Sequence, residues 1–260
     1  MNEHSSAFYD ALAEKQHLIF KDWNTSIDWQ ASIIGPLLER ELPNGKLRLL
    51  DCACGIGTQA LGLARRGHLV VAADLSAAAV ARARREASQR DLSITFHVAD
   101  MGDLAGVPET GFDAVVAVDN ALPHLSTEHL AQAGAAVASK LRPGGVFLAS
   151  IRDYDQLLLD RPTVLPPVFY SDAGKQRFTH QVWNWIDERN YVFHLYITRE
   201  TDRGWACDHF VSRYRAWRRE ELTEILSKAA FRDVRWLLPA ETAFYQPIVI
   251  ARLPAAGDAG

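Results

Sequence analysis

The stretch Leu49-Leu50-Asp51-Cys52-Ala53-Cys54-Gly55-Ile56-Gly57-Thr58-Gln59-Ala60 holds the residue types that bear most directly on chemistry. An apolar run gives way to paired glycines and then to helix formers, the pattern of a strand that enters a tight turn and continues as a helix. Without a Cβ at Gly55 and Gly57 a ligand can lie against the backbone, and the first turn of the helix offers N–H groups with no partner inside it. Such a turn cradles a cofactor. The spacing Gly55-Ile56-Gly57-Thr58-Gln59-Ala60 also satisfies the G-x-G-x-x-A form of the dinucleotide fingerprint, and plain strand-to-helix turn chemistry uses glycines in the same way.

Acidic residues recur at the ends of successive apolar segments: Asp51, then Asp74 closing Val70-Val71-Ala72-Ala73, Asp100 after Val98-Ala99, and Asp119 before Asn120-Ala121-Leu122-Pro123-His124-Leu125. Ligands of open α/β sheets bind outside the carboxyl ends of the strands. Asp74 can accept both hydrogen bonds of a ribose diol, and it can also cap the helix that starts near Ser76. Carboxylates with no basic residue beside them suit a cofactor without phosphate better than a diphosphate. His124, in a loop after the fourth strand, stands where it can orient an acceptor or remove a proton; the competing role is a structural bond to backbone. His17, His180, His194 and His209 read as structural, Arg213 to Arg219 as a solvated strand-to-helix junction, and Arg82, Arg84, Arg85 and Arg90 as an exposed helix face.

Positioning these groups requires a parallel sheet, and the apolar periodicity supplies one. Helical spacing over 8–42 predicts two helices, stopped by Pro43-Asn44-Gly45. Strands are predicted over 46–51, 69–74, 94–98, 112–119 and 146–151, with helices over 58–66, 76–90 and 126–141 between them. Strand and helix alternating in this way make right-handed βαβ units. After Arg152 the prolines Pro162, Pro166 and Pro167 break the chain, and three antiparallel strands are predicted over 177–187, 191–200 and 206–217. A helix over 218–230 and strands over 233–238 and 244–252 close the pattern.

The 260 residues, 48% hydrophobic and 23% charged, suit one large globular domain with an insertion and exclude disordered or disulfide-scaffold classes. Lys plus Arg number 28 against 32 Asp plus Glu, a net charge of −4 that lacks the positive field of a nucleic-acid binder. Cys52 and Cys54 have neither disulfide-framework nor C-x-x-C spacing, and no metal cluster is expected. The residues from Met1 to Asp10 do not read as a signal peptide, and no apolar run approaches the ~20 residues that span a bilayer. The expectation is a cytoplasmic protein with no membrane or nucleic-acid partner, a small-molecule substrate, and scope for homo-oligomers.

On Leu50 to Gly57, Asp74, Asp100-Met101, Asn120 with Pro123-His124-Leu125, Leu141-Arg142-Pro143-Gly144-Gly145 and Arg152-Asp153-Tyr154-Asp155, the chain resembles the class I S-adenosylmethionine-dependent methyltransferases. Within them it is most similar to the glycine N-methyltransferase and glycine/sarcosine N-methyltransferase group. The resemblance runs from about residue 8 to residue 252. It implies an α/β fold with a Rossmann-like, seven-stranded, mostly parallel sheet, helices on both faces, an antiparallel insertion and an N-terminal helical lid. The implied segments are a lid over 1–45, a cofactor-binding core over 46–152, a substrate insertion over 153–217, a closing part over 218–253 and a disordered tail over 254–260.

The implied cofactor is S-adenosylmethionine, converted to S-adenosylhomocysteine. Ala53, Gly55 and Gly57 would line its methionine side, Asp74 would hold the ribose, and Asp100 with Met101 the adenine. Asn120 and Leu122 would lie below the sulfonium, with Asp51, Leu75, Asp119, Trp23 and Trp29 completing the cofactor set. Tyr9 and His124 would assist an in-line transfer to an uncharged nitrogen. Arg152 would grip the acceptor carboxylate, with Tyr154, Tyr170 and Tyr214 beside it; a surface ion pair with Asp153 or Asp155 is the competing role for Arg152.

Two departures are visible. The second helix, at Ser26-Ile27-Asp28-Trp29-Gln30, lacks the arginine with which relatives contact the cofactor carboxylate, so Trp29 is expected on the methionine chain instead. The insertion carries Trp183, Trp185, Tyr191, Phe193, Tyr196, Trp205, Phe210 and Tyr214, more rings than a glycine pocket needs, which suits an aromatic nitrogen heterocycle as an alternative acceptor. Readings of other classes are an NAD-dependent oxidoreductase and a noncatalytic binding protein.

Overall fold

The computed structural model describes residues 3–43, 45–172, 174–255 and 257. Two helices, α1 (Glu3–Leu12) and α2 (Trp23–Glu41), open the chain, with a short 3-10 helix (Gln16–Ile19) between them. The core then runs β1 (Arg48–Asp51), α3 (Thr58–Arg65), β2 (Leu69–Asp74), α4 (Ala77–Ser88), β3 (Ile94–Val98), β4 (Phe112–Ala117), α5 (Thr127–Lys140) and β5 (Leu141–Ser150). Next come α6 (Tyr154–Asp160) and the strands β6 (Val164–Asp172), β7 (Lys175–Trp185), β8 (Asn190–Thr201) and β9 (Gly204–Arg215). The chain closes with α7 (Arg219–Lys228), β10 (Arg232–Leu237), α8 (Pro239–Thr242) and β11 (Ile248–Arg252).

Seven strands form one sheet in the order β10-β11-β5-β4-β1-β2-β3, with β11 antiparallel to both of its neighbours. Alternation along the strands divides the core. Leu49, Val70, Val116 and Leu148 face α2, α3 and α4, where Ile27, Ile34, Leu61 and Val80 complete one apolar layer. Leu50, Val71, Val115 and Phe147 face the other way, toward Leu130, Val137 and Leu222. That second layer continues without a break into Trp183, Tyr191, Phe193 and Tyr214 of the antiparallel sheet, so the insertion shares the core of the main sheet. Helix starts follow side-chain caps: Asp22, Ser76 and Ser126 accept from the N–H of Thr25, Ala79 and His129.

Four strands, not three, make the insertion, in the order β6-β7-β8-β9. The added strand contains Pro166 and Pro167, which read as breakers. It lies at the sheet edge and shifts register between Leu165 and Val168, where missing N–H groups interrupt no ladder. Helix α6 escapes the periodicity through its length, seven residues with one buried side chain, Tyr154. The closing strand starts at Ile248 rather than residue 244, which leaves Phe244 and Tyr245 in the loop before it. Arg82 and Arg90 are also not a plain solvated face: both pair with Glu86 and lie over the Trp23 ring. Of the tail expected to be disordered, residues 256 and 258–260 lie outside the described residues.

Candidate active site

Helix α1 lies across the carboxyl ends of the parallel strands, wedged between β9 and α4. Phe8 packs edge-on against Phe193 and Phe210, and Asp10 accepts hydrogen bonds from Ser76 Oγ (2.5 Å) and Ala78 N (3.2 Å) at the start of α4. Beneath this cover are two adjoining cavities that share Tyr9, Gln16 and Asp119.

The first cavity, about 650 Å³ including its mouth, is built around the glycine turn. Ala53, Cys54, Gly55, Thr58, Asp74, Leu75 and Met101 line it, with Val118, Ala121 and His124 at the inner end. Gly55 has φ +51°, and a Cβ there would stand 3.0 Å from the Gln16 amide, so side-chain-free backbone is what keeps this wall open. Asp74 accepts from Gly55 N (2.8 Å) and Ser76 N (2.9 Å), and burial raises its pKa. The helix-capping role considered for it falls to Ser76, which accepts from Ala79 N at 3.0 Å.

Several expected cofactor residues stand behind this wall rather than in it. Gly57, with φ +97°, caps α3 and packs toward Leu61 and Ala83. Trp23 is buried and donates from Nε1 to Thr58 Oγ1 at 2.9 Å, fixing a lining residue without lining the cavity. Leu122 is buried behind Ala121, and Asp100 turns to accept from Gly102 N at 2.7 Å; neither lines the cavity. Asp51 is buried with Oδ1 3.4 Å from Ala53 N and Oδ2 without a partner.

Burial raises the Asp51 pKa to about 8. A folded-state value above the ordinary one means the native protein holds the proton more tightly, so this residue's contribution to stability falls as pH rises from about 4 to about 8. Asp51→Asn is therefore expected to raise the melting temperature of the unliganded protein at pH 8 and leave it unchanged near pH 4, each tenfold difference in proton affinity being worth about 1.4 kcal/mol. Equal melting temperatures of the two proteins at both pH values would contradict this.

The second cavity, about 1160 Å³ including its mouth, lies between α2, the insertion and the loop before β11. Its walls combine aromatic rings, among them Phe8, Tyr9, Trp29, Phe193, Tyr214 and Tyr245, with polar groups such as Gln30, Asp119, Arg152 and Gln181. Trp29, expected on the cofactor side, lines this cavity instead, stacked on Phe244 and Tyr245 at 5.6 and 5.7 Å. Arg152 is half-buried and lies over the rings of Trp183, Phe193 and Tyr214 at 4.9, 5.3 and 5.8 Å. It donates to Gln181 Oε1 (3.0 Å) and Tyr191 OH (3.4 Å) and has no carboxylate partner among the described residues. The surface ion pair considered for it belongs to Arg219, which holds Asp153 and Asp155. Tyr154 is fully buried below the cavity, linking Asn120 Nδ2 (3.2 Å) to Tyr191 OH (2.9 Å).

Where the cavities meet, Asp119 and Asn120 adopt φ +62° and +68° after β4, a conformation that Asp and Asn tolerate better than other side chains. Tyr9 OH is 2.9 Å from His124 Nε2, and Tyr214 packs on the same imidazole at 4.4 Å. Burial, with Arg152 nearby, pushes His124 down to about 3, so it is neutral at ordinary pH. A neutral imidazole can accept the Tyr9 proton through Nε2 while Nδ1 faces Ser212 Oγ at 3.4 Å.

Sequence reading missed Gln16, Gln30, Gln59 and Tyr245. Gln59 stands inside the glycine segment, but nothing in its type showed that its amide would meet Gln30 and Asp119. Gln16 Oε1 is buried without a partner between both cavities.

A cofactor with an adenosine and an amino-acid end fits the first cavity. The glycine wall admits it, Asp74 suits a diol, the unpartnered oxygen of Gln16 suits an ammonium, and no lysine or arginine among the described residues lines the cavity to hold a diphosphate. The chain matches the methyltransferase domain over residues 49–145. It is 34% identical over 140 residues to the glycine/sarcosine N-methyltransferase of Parasynechococcus marenigrum, covering 52% of this chain and 50% of that protein. It is 30% identical over 193 residues to the tRNA 5-carboxymethoxyuridine methyltransferase of Escherichia coli, covering 64% of this chain and 71% of that one. The chain spans about half the length of the first curated relatives it matches. The S-adenosylmethionine-bound structure of CalS10, an amino pentose methyltransferase from Micromonospora echinaspora, shares the fold at TM-score 0.70 and 21% identity, covering 87% of this chain and 91% of that one. With the sheet order, the glycine wall and these likenesses together, the chain belongs to the class I S-adenosylmethionine-dependent methyltransferases, with S-adenosylmethionine as its cofactor.

Proposed function

We propose that this methyltransferase acts on nitrogen, in a small metabolite that also carries a carboxylate. The observation that carries the reading is Arg152: a half-buried guanidinium in the wall of the second cavity with no carboxylate among the described residues to pair with. Buried charges are ordinarily paired, and a bidentate carboxylate on the acceptor supplies the missing partner. The aromatic walls favour an acceptor with a ring or other apolar body, so a flat nitrogen heterocycle bearing an acid group is the second reading.

When bound, the cofactor supplies a methyl group made electrophilic by its sulfonium. The protein's task is alignment and exclusion of water. In this reading Ala53, Gly55, Asp74, Leu75 and Met101 hold the donor in the first cavity, and Arg152 with Tyr170 and Tyr214 holds the acceptor in the second. Tyr9 and His124 stand between them. The Tyr9 hydroxyl, which donates to the neutral imidazole, can accept an amine N–H and so aim the nitrogen lone pair at the methyl group. Tyr9→Phe is expected to lower kcat by about 10- to 100-fold with cofactor affinity unchanged; an unaltered kcat in both Tyr9→Phe and His124→Ala would remove both residues from the positioning of the acceptor nitrogen.

Release of S-adenosylhomocysteine tests the reading when amino acids, heterocyclic acids, phenols and tRNA are offered in turn. Turnover with carboxylate-bearing amines supports it. Turnover with phenols or tRNA alone overturns it.

A further inference from the structure

The second cavity holds a half-buried charge of each sign, and neither has an ionic partner among the described residues. Arg152 is the cation; Asp119, which lines both cavities, is the anion. A buried charge without a counter-charge is costly, and a ligand that brings both counter-charges removes both penalties at once.

The Asp119 carboxylate is held in place. Gln30 and Gln59 donate to its Oδ2 at 3.1 and 2.8 Å, and Gln59 also donates to Gln30 Oε1 at 2.6 Å. Its backbone N–H is fixed on Ser150 Oγ at 3.0 Å. Oδ1 accepts from the hydroxyl of Tyr245, a half-exposed residue stacked on Trp29 at the cavity mouth. Two amides thus orient the carboxylate, and its other oxygen meets a phenol that an incoming donor can displace. The neighbouring Asn120 accepts the Arg152 backbone N–H at 3.0 Å, tying the two charged residues to one frame.

Resting on the function proposed above, we propose that Asp119 binds the acceptor's ammonium, so that the acceptor is a zwitterionic amino acid read at both ends: its carboxylate by Arg152, its amino group by Asp119 Oδ1 beside the stacked rings of Trp29 and Tyr245. Because Asp119 also lines the first cavity, this places the nitrogen at the junction where the methyl group is delivered, and one ammonium proton passes to the Asp119 carboxylate before the nitrogen lone pair can take the methyl group. Burial without a cation raises the Asp119 pKa to about 6, as expected of a carboxylate waiting for one. The aromatic faces add cation–π attraction for the same group.

The test is calorimetric binding to the S-adenosylhomocysteine complex, with each amino acid paired to its desamino analogue: glycine with acetate, phenylalanine with phenylpropionate, histidine with imidazolepropionate. Wild type is expected to prefer an amino acid over its analogue by about 30-fold or more. Asp119→Asn, which keeps the size of the side chain and one acceptor oxygen, is expected to reduce that preference to within a few-fold while S-adenosylhomocysteine still binds. An Asp119→Asn protein that keeps the preference overturns this assignment alone. So does one whose main loss is affinity for S-adenosylhomocysteine, because the carboxylate then serves the cofactor's own ammonium. Failure of every amino acid and every analogue to bind wild type overturns the proposed function along with it.

Discussion

Replacing Arg152 with methionine is expected to raise the acceptor KM by at least about 100-fold while the dissociation constant of S-adenosylhomocysteine stays within a few-fold. The two effects separate because Arg152 lines the second cavity and not the first. Methionine retains much of the stem that packs beneath Trp183 and Phe193, so the walls keep their shape and only the charge and its donors are lost. Stability adds a second, sharper signature. Removing a half-buried guanidinium that has no carboxylate partner among the described residues relieves part of a desolvation cost, and Tyr191 and Gln181 remain bonded within the Tyr154 and Trp183 network. The unliganded Arg152→Met protein is therefore expected to melt at or above the wild-type temperature. A lower melting temperature together with an unchanged KM, as expected for a purely structural arginine, would contradict the account.

Asp74→Ala is expected to weaken S-adenosylhomocysteine binding by about 100-fold or more, since in the proposed placement of the cofactor Asp74 accepts two charge-assisted hydrogen bonds from its diol, each worth about 1.5 to 3 kcal/mol. It also leaves the Gly55 and Ser76 N–H groups without their acceptor, so the glycine wall loses its anchor to the end of β2. Asp74→Asn separates the two contributions. The amide oxygen can still accept from one backbone N–H, so the turn survives better than in Asp74→Ala, while the carboxylate's second acceptor is gone. Titration of tryptophan fluorescence reads both variants; binding within about threefold of wild type in Asp74→Ala would remove Asp74 from the cofactor site.

The parallel core was legible in the sequence because it follows short-range periodicity. Apolar runs such as Val70 to Ala73, alternating with amphipathic helices, leave little choice of topology. The glycine turn was legible for a related reason, since only residues without a Cβ permit the approach at Gly55. The insertion was less so. Pro166 and Pro167 argue against a strand unless it is an edge, and edge status is decided by partners far along the chain. Trp29 and Trp23 show the same limit within the site. Both sit on α2 six residues apart, yet one stacks on Tyr245 from the loop before β11 and the other bonds Thr58 on α3. Gln16, Gln30 and Gln59 carried no signal of their type, because an amide becomes part of a site only through the carboxylate that it meets. Arg152, by contrast, was found through the residues around it, and its burial among rings with no acid partner among the described residues is what the fold adds.

The central claim is that a carboxylate-bearing amine is methylated on nitrogen. Its most direct test is mass spectrometry of the products formed from methyl-labelled S-adenosylmethionine and a panel of amino acids and heterocyclic acids. The account predicts a gain of labelled methyl, located on nitrogen by fragmentation, that is lost in the Arg152→Met protein. Label on oxygen, or no transfer to any amine while S-adenosylhomocysteine still binds, would contradict it.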